Sequence, residues 1–163
     1  MNRNNGIKIR KMVGADLPQV NEIDHLLLGQ GRMPAWPFSF EAYWSVFHPE
    51  LTFVAERDGQ IEGFLVGYIK PEEETRSVLK RADAQVAPPS NHGKVGWIEM
   101  TGVHPRSQHK GIGQTLTQAF VDECQRYHAA VNCLVPGGDP KLAEFYCGLG
   151  FKRWDGVIYT KQS

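Results

Sequence analysis

The chain has no excess charge of either sign. Its 163 residues carry 18 lysines and arginines against 18 aspartates and glutamates, so bulk electrostatics draws it neither to nucleic acid nor to an anionic membrane surface. It also lacks an uninterrupted apolar run approaching the roughly 20 residues of a spanning helix. The opening Met1-Asn2-Arg3-Asn4-Asn5 is too polar for a secretory signal, and the cytoplasm is the expected compartment. Cysteine is scarce: Cys124, Cys133 and Cys147 are an odd set whose spacings match neither a zinc site nor a disulfide framework, as expected of reduced thiols. The histidines, His25, His48, His92, His104, His109 and His128, show no paired ligand spacing, and no metal is expected. Repeats, low-complexity tracts and linkers are absent. What is left, 41% hydrophobic and 22% charged residues, describes one globular domain over 1–163, long enough to bury about two-thirds of its extended-chain surface.

The most informative stretch runs from Trp97 to Leu116. It reads as a strand ending in Val103-x-Pro105, a polar turn, and a helix opened by Gly111 and Gly113. In that helix Leu116, Phe120 and Cys124 recur four apart, while Gln114, Gln118, Asp122 and Arg126 fall on the opposite face. The first backbone N–H groups of a helix have no intrahelical acceptor, and the macrodipole adds roughly half a positive charge there, so a glycine-opened start suits a phosphate. Two common nucleotide sites are disfavoured. A dinucleotide fingerprint wants a third glycine where Leu116 stands, and a P-loop wants Gly-Lys-Ser/Thr.

The remaining chain supplies the frame. Gly6 to Val13 alternates as a strand with one buried face, and Asp16 to Leu28 carries Leu17, Val20, Ile23 and Leu27 at helical spacing. Gly29 to Val46 is broken by glycine and proline; it reads as a loop and a short second helix entered at Ser39, with Trp36, Phe38, Phe40, Tyr43 and Trp44 as either a substrate wall or core packing. Leu51 to Arg57 and Gln60 to Lys70 form a hairpin around Asp58-Gly59. Residues 71–94, first charged and then rich in proline, are a long excursion between strands. Ala129 to Val135 reads as another strand. Asp139 is then placed to cap a helix with Pro140 in its first turn and Leu142, Phe145, Tyr146 and Leu149 on one face, before Gly150. A closing hairpin turns at Asp155-Gly156.

Two motifs in order carry a family likeness. Gln108-x-x-Gly111-x-Gly113 after Val103-x-Pro105, followed by Asp139-Pro140-Lys141-Leu142-Ala143-Glu144-Phe145-Tyr146 with Gly150-Phe151, resembles the paired signatures of the GNAT superfamily of acyl-CoA-dependent N-acyltransferases. Ile9-Arg10-Lys11 with Asp16-Leu17-Pro18 is similar to the family's usual opening. The resemblance implies an α+β fold of the α/β/α sandwich type, with a mixed, mostly antiparallel sheet and a splayed central strand pair. It implies transfer of an acetyl group from acetyl-CoA to a primary amine of a small molecule, a protein N-terminus or a lysine. A non-catalytic acyl-CoA-binding sensor of the same fold is the alternative, and a homodimer is compatible with either.

The same resemblance implies the site. Pantetheine would pair with the main chain of Thr101, Gly102 and Val103, and pyrophosphate would rest on His109, Lys110, Gly111, Ile112, Gly113 and Gln114, with Gln108 holding the loop. Asp139 stands where the family often has asparagine at the cofactor arm; its other role is the helix cap. Tyr146 occupies the position of the proton donor to departing CoA thiolate, and the oxyanion would meet a backbone N–H at or near Val103. The base is Glu99, the carboxylate on the central strand, or a water chain. Its direction depends on Gly102, where a bulge is expected to shift the alternation. Trp36, Phe38 and Tyr68 are candidate acceptor walls. Cys147, next to Tyr146, has no histidine and acid partner arguable from spacing, so packing explains it more simply than nucleophilic catalysis.

Overall fold

The computed structural model describes residues 6–31, 39–47, 50–71, 93–135, 139–155 and 158–161. Among them the elements run β1 (Lys8–Lys11), α1 (Leu17–Gly29), α2 (Phe40–Phe47), β2 (Leu51–Arg57), β3 (Gln60–Pro71), β4 (Lys94–Val103), α3 (Ile112–Arg126), β5 (Ala130–Leu134), α4 (Pro140–Gly148), β6 (Lys152–Asp155) and β7 (Ile158–Lys161). The strands form a seven-stranded sheet in the order β1-β2-β3-β4-β5-β7-β6. β1–β2, β2–β3, β5–β7 and β6–β7 pair antiparallel, whereas β4 and β5 pair parallel. This is the mixed, mostly antiparallel sheet expected. No described helix is long and apolar enough to cross a membrane.

The described residues fall into two compact units. One lies within Met1–Gly67 and Glu99–Phe120. Its core takes Val20, Ile23 and Leu27 from α1, Phe40 and Tyr43 from α2, and Val54, Phe64, Val66 and Met100 from the strands. The helical period read from the sequence is therefore the one that packs. α2 begins where Ser39 suggested: Ser39 Oγ accepts from the Ala42 N–H at 3.3 Å. Asp58 and Gly59 both adopt left-handed backbone, φ 50° and 77°, as a two-residue type I′ hairpin turn requires.

Gly102 has a different reason from the one expected. Burial alternates without a break from Ile98 through Met100 and Gly102, with Glu99, Thr101 and Val103 more open, so the bulge that would redirect these side chains is not seen. A Cβ on Gly102 would lie 2.5 Å from Phe64 Cε1 and 3.0 Å from Leu27 Cδ1. The missing side chain lets Phe64 and α1 close on β4, and the strand keeps its period.

The opening motif is a knot of charge. Arg10 donates to both carboxylate oxygens of Asp16, at 2.7 and 2.8 Å, and through Nε to Glu56 at 2.5 Å. Asp16 also accepts from the Val13 N–H at 2.9 Å. The Arg10 hydrogen bonds, helped by Val13 and opposed by burial, hold the Asp16 carboxyl below its ordinary range. A depressed folded value means a contribution present above the unfolded value, near 4, and lost as pH falls through the folded one. Asp16→Asn should cost about 2 kcal/mol at neutral pH and flatten the acid limb of stability, measured by urea unfolding at pH 7 and pH 3. An unchanged acid limb would show that the knot contributes nothing.

The second unit lies within Tyr68–Ile98 and Val121–Ser163. β5 is central to it, with Val131 and Cys133 buried between β4 and β7 pairings. Helix α4 stops at Gly150, φ 85°, where Gly150 N–H donates to Cys147 O and Phe151 N–H to Tyr146 O, both at 3.0 Å. That glycine-ended turn delivers Phe151 onto Tyr146. Tyr68 packs on Val95 and Trp97, with Lys70 Nζ 4.8 Å from the Tyr68 ring centre.

Candidate active site

The C-terminal end of β4 and the turn after it are tied down residue by residue. The β4–β5 ladder matches Val95–Ile98 with Ala130–Cys133, and β4 continues through Glu99–Val103. On the β3 side His104 N–H donates to Glu62 O at 2.8 Å. Gln108 Nε2 donates to Val103 O at 3.3 Å, so Gln108 holds the loop to the strand end. A 3₁₀ turn, Pro105–Ser107, follows, with Ser107 buried. The chain then takes left-handed backbone at His109, φ 61°, and again at Gly111, φ 81°. Alternation of this kind turns successive N–H groups toward one side, the geometry of an anion nest. The helix begins at once: Thr115 N–H and Oγ1 both donate to Gly111 O at 3.0 Å. The N–H groups of Ile112, Gly113 and Gln114 precede that first intrahelical bond. His109 and Lys110 are exposed, and Lys110 Nζ donates to Arg106 O at 2.8 Å, bracing the turn.

Glu99 sits part-buried on β4 and accepts a hydrogen bond from the Tyr43 hydroxyl of α2. Tyr43 is itself 2% exposed, with its ring in the core. In α4, Asp139 Oδ1 accepts from the Leu142 N–H at 2.9 Å, the capping role read from the sequence. Tyr146 is 3% exposed, between Phe145 and Phe151 at ring-centre distances of 5.1 and 5.2 Å. Trp36 and Phe38 lie outside the described residues.

The two motifs thus form two structural signatures, a nest-opened helix after a strand and a capped helix ending in glycine. Residues 19–151 match the model of the acetyltransferase (GNAT) family. The chain belongs to the GNAT family. A mycothiol acetyltransferase of Renibacterium salmoninarum is 29% identical over 100 residues, 60% of this chain and 30% of that protein, so the chain spans under a third of that relative's length. Among solved structures, a GNAT acetyltransferase of Brucella melitensis in complex with acetyl-CoA has a TM-score of 0.63 at 18% identity, covering 96% of this chain and 87% of that one. The ribosomal-protein-S18-alanine N-acetyltransferase of Escherichia coli has a TM-score of 0.68 at 17% identity, covering 94% and 92%. At such identities the structural likeness carries the fold.

Within this GNAT chain the cysteines offer no nucleophile at the buried positions. Burial pushes the Cys124 thiol up to about 12, and Cys133 still higher, so both stay protonated at neutral pH. Cys147 is exposed on α4. Among the described residues no group of His, Cys, Asp and Glu could hold a metal. In the sequence Tyr43 belongs to the aromatic run from Trp36 to Trp44, and a tyrosine on an apolar helix face needs a partner for its hydroxyl; here Glu99 is that partner. His104, inside Val103-x-Pro105, accepts from the Arg106 N–H through Nδ1 at 3.2 Å. Burial, aided by Arg106, lowers its pKa.

Proposed function

We propose that this chain, as one N-acetyltransferase domain, transfers the acetyl group of acetyl-CoA to a primary amine by direct attack. The observation that carries this is the loop His109–Gly111, whose two left-handed residues lead into a helix start with N–H groups that have no intrahelical acceptor, an arrangement suited to a pyrophosphate. The fit is chemical as well as geometric. A diphosphate needs several donors and no carboxylate close by, and the loop Gln108-His109-Lys110-Gly111-Ile112-Gly113-Gln114 contains no acid. Family membership and an acetyl-CoA-bound neighbour of the same fold support the same reading.

The thioester supplies an activated acyl group. In this reading the chain's residues supply the rest. The main chain of Thr101–Val103 takes the pantetheine amides, and a backbone N–H there receives the carbonyl oxygen as it becomes an oxyanion. Glu99, oriented by Tyr43, takes a proton from the ammonium so that its nitrogen lone pair becomes available. Tyr146 gives a proton to the sulfur as the C–S bond breaks.

Acetyl-CoA should raise the thermal midpoint of the chain, and Gly111→Val should abolish most of that rise. A β-branched residue is strained at φ 81°, and reorienting the nest should weaken CoA at least tenfold. Differential scanning fluorimetry with CoA and acetyl-CoA measures both. If CoA gives the wild type no protection at all, the reading fails at its first step.

A further inference from the structure

Helix α4 carries Tyr146 in its final turn, and that turn is held from the last strand. Lys161 Nζ donates to the Leu149 main-chain oxygen at 2.6 Å, across 12 residues of sequence. The last carbonyls of a helix lack intrahelical donors, and the macrodipole leaves them partly negative, so an ammonium there is favoured twice. Leu149 is such a case. The N–H four residues on belongs to Arg153, which is already in β6.

The same ammonium reaches past Leu149. A Cβ on Gly150 would lie 3.7 Å from Lys161 Cε and Nζ, so the end of the lysine runs alongside that backbone. Nζ is also 5.9 Å from the Phe151 ring centre, within the range of a cation–π contact. Phe151 is 2% exposed, its ring stands edge-on to Tyr146 at 5.2 Å, and its N–H donates to Tyr146 O at 3.0 Å. One side chain therefore touches, in order, the residue that ends α4, the glycine stop and the ring that bears on Tyr146.

The base of the lysine is fixed as firmly as its tip. β7 lies between β5 and β6, with Lys161 opposite Val131 and Thr160 opposite Lys152. α4 is a short helix of 9 residues, and helices of that length depend on contacts outside themselves. Asp139 secures its first turn. We infer that Lys161 secures its last, and that it is a positioning residue for the Tyr146 hydroxyl. The second clause rests on the proton-donor role given to Tyr146 above. A misplacement of about 1 Å costs about a hundredfold in rate at a reacting group, so a side chain that acts through Phe151 and the helix end bears on turnover.

The test uses the full chain with Lys161→Met, which keeps the stem and loses the ammonium, Lys161→Arg, which keeps a cationic donor, Tyr146→Phe, and Lys161→Met combined with Tyr146→Phe. Single-turnover thiol release from acetyl-CoA, with hexylamine, spermidine and an unblocked pentapeptide supplied together, gives the chemical step. Lys161→Met should lower that rate about tenfold to a hundredfold with the Kd for CoA close to wild type, and Lys161→Arg should recover most of it. In the Tyr146→Phe background the same change should cost little further, because the hydroxyl it positions is gone. Amide hydrogen exchange at Gly150 and Phe151 should speed up in Lys161→Met and not in Lys161→Arg. An unchanged rate, an equal loss with and without the Tyr146 hydroxyl, or unchanged exchange overturns the inference and leaves the acetyltransferase reading standing. If Tyr146→Phe alone keeps the wild-type rate, the proton-donor role falls and the positioning role falls with it. Failure of the wild type to bind CoA would instead sink the acetyltransferase reading, while the exchange result still decides whether Lys161 holds the turn.

Discussion

Tyr146→Phe is expected to lower kcat by about 10²- to 10⁴-fold, the range over which a positioned proton donor contributes, while leaving the Kd for CoA and the unfolding midpoint close to wild type. The separation of effects follows from where the residue sits. Its ring is 3% exposed and in edge contact with Phe145 and Phe151, all of which phenylalanine retains. Its main-chain oxygen accepts from the Phe151 N–H that closes α4, and that bond is indifferent to the side chain. What the substitution removes is the hydroxyl. A CoA thiolate leaves more easily when its sulfur is protonated as the bond breaks, so the loss falls on turnover. Single-turnover acetylation of a good acceptor isolates the chemical step from product release. Unchanged single-turnover rates would mean that Tyr146 only packs. Lost CoA binding would mean that it anchors the cofactor instead.

Features set by neighbouring residues were legible from the sequence. Asp58-Gly59, the Asp139 cap, the glycine stop at Gly150 and the buried row Leu116, Phe120, Cys124 are each fixed within a few residues, and all are found as expected. The left-handed backbone at Gly111 belongs with them, because a glycine before a helix start already advertises it. Features made by distant contacts were not legible. Gly102 looked like a bulge because a glycine inside a strand often is one; its cause is the Phe64 ring, 38 residues earlier in the chain, which no local pattern indicates. The Tyr43–Glu99 bond joins residues 56 apart. The sequence therefore indicated the backbone turn before α3 better than it indicated contacts between distant side chains. Phosphate binding uses backbone conformation, which is local, whereas acceptor binding uses side chains gathered from several elements.

Glu99→Gln should reduce kcat by about 10²- to 10³-fold with CoA binding intact, and Tyr43→Phe should produce a smaller loss of a different kind. Regular alternation along β4 keeps Glu99 on the more open side with Thr101 and Val103, opposite the packed Met100 and Gly102, so the carboxylate is not consumed by the core. The Tyr43 hydroxyl donates to one of its oxygens, which fixes the orientation of the carboxylate. Glutamine keeps the shape and can still accept from Tyr43, but it cannot take a proton. Tyr43→Phe removes the group that orients the carboxylate but keeps the carboxylate itself, so its kcat should fall less than that of Glu99→Gln. Single-turnover rates on the same acceptor distinguish the two. If Glu99→Gln keeps the wild-type rate, the proton leaves by a water chain, and the Tyr43–Glu99 pair holds α2 against β4 without serving as the base.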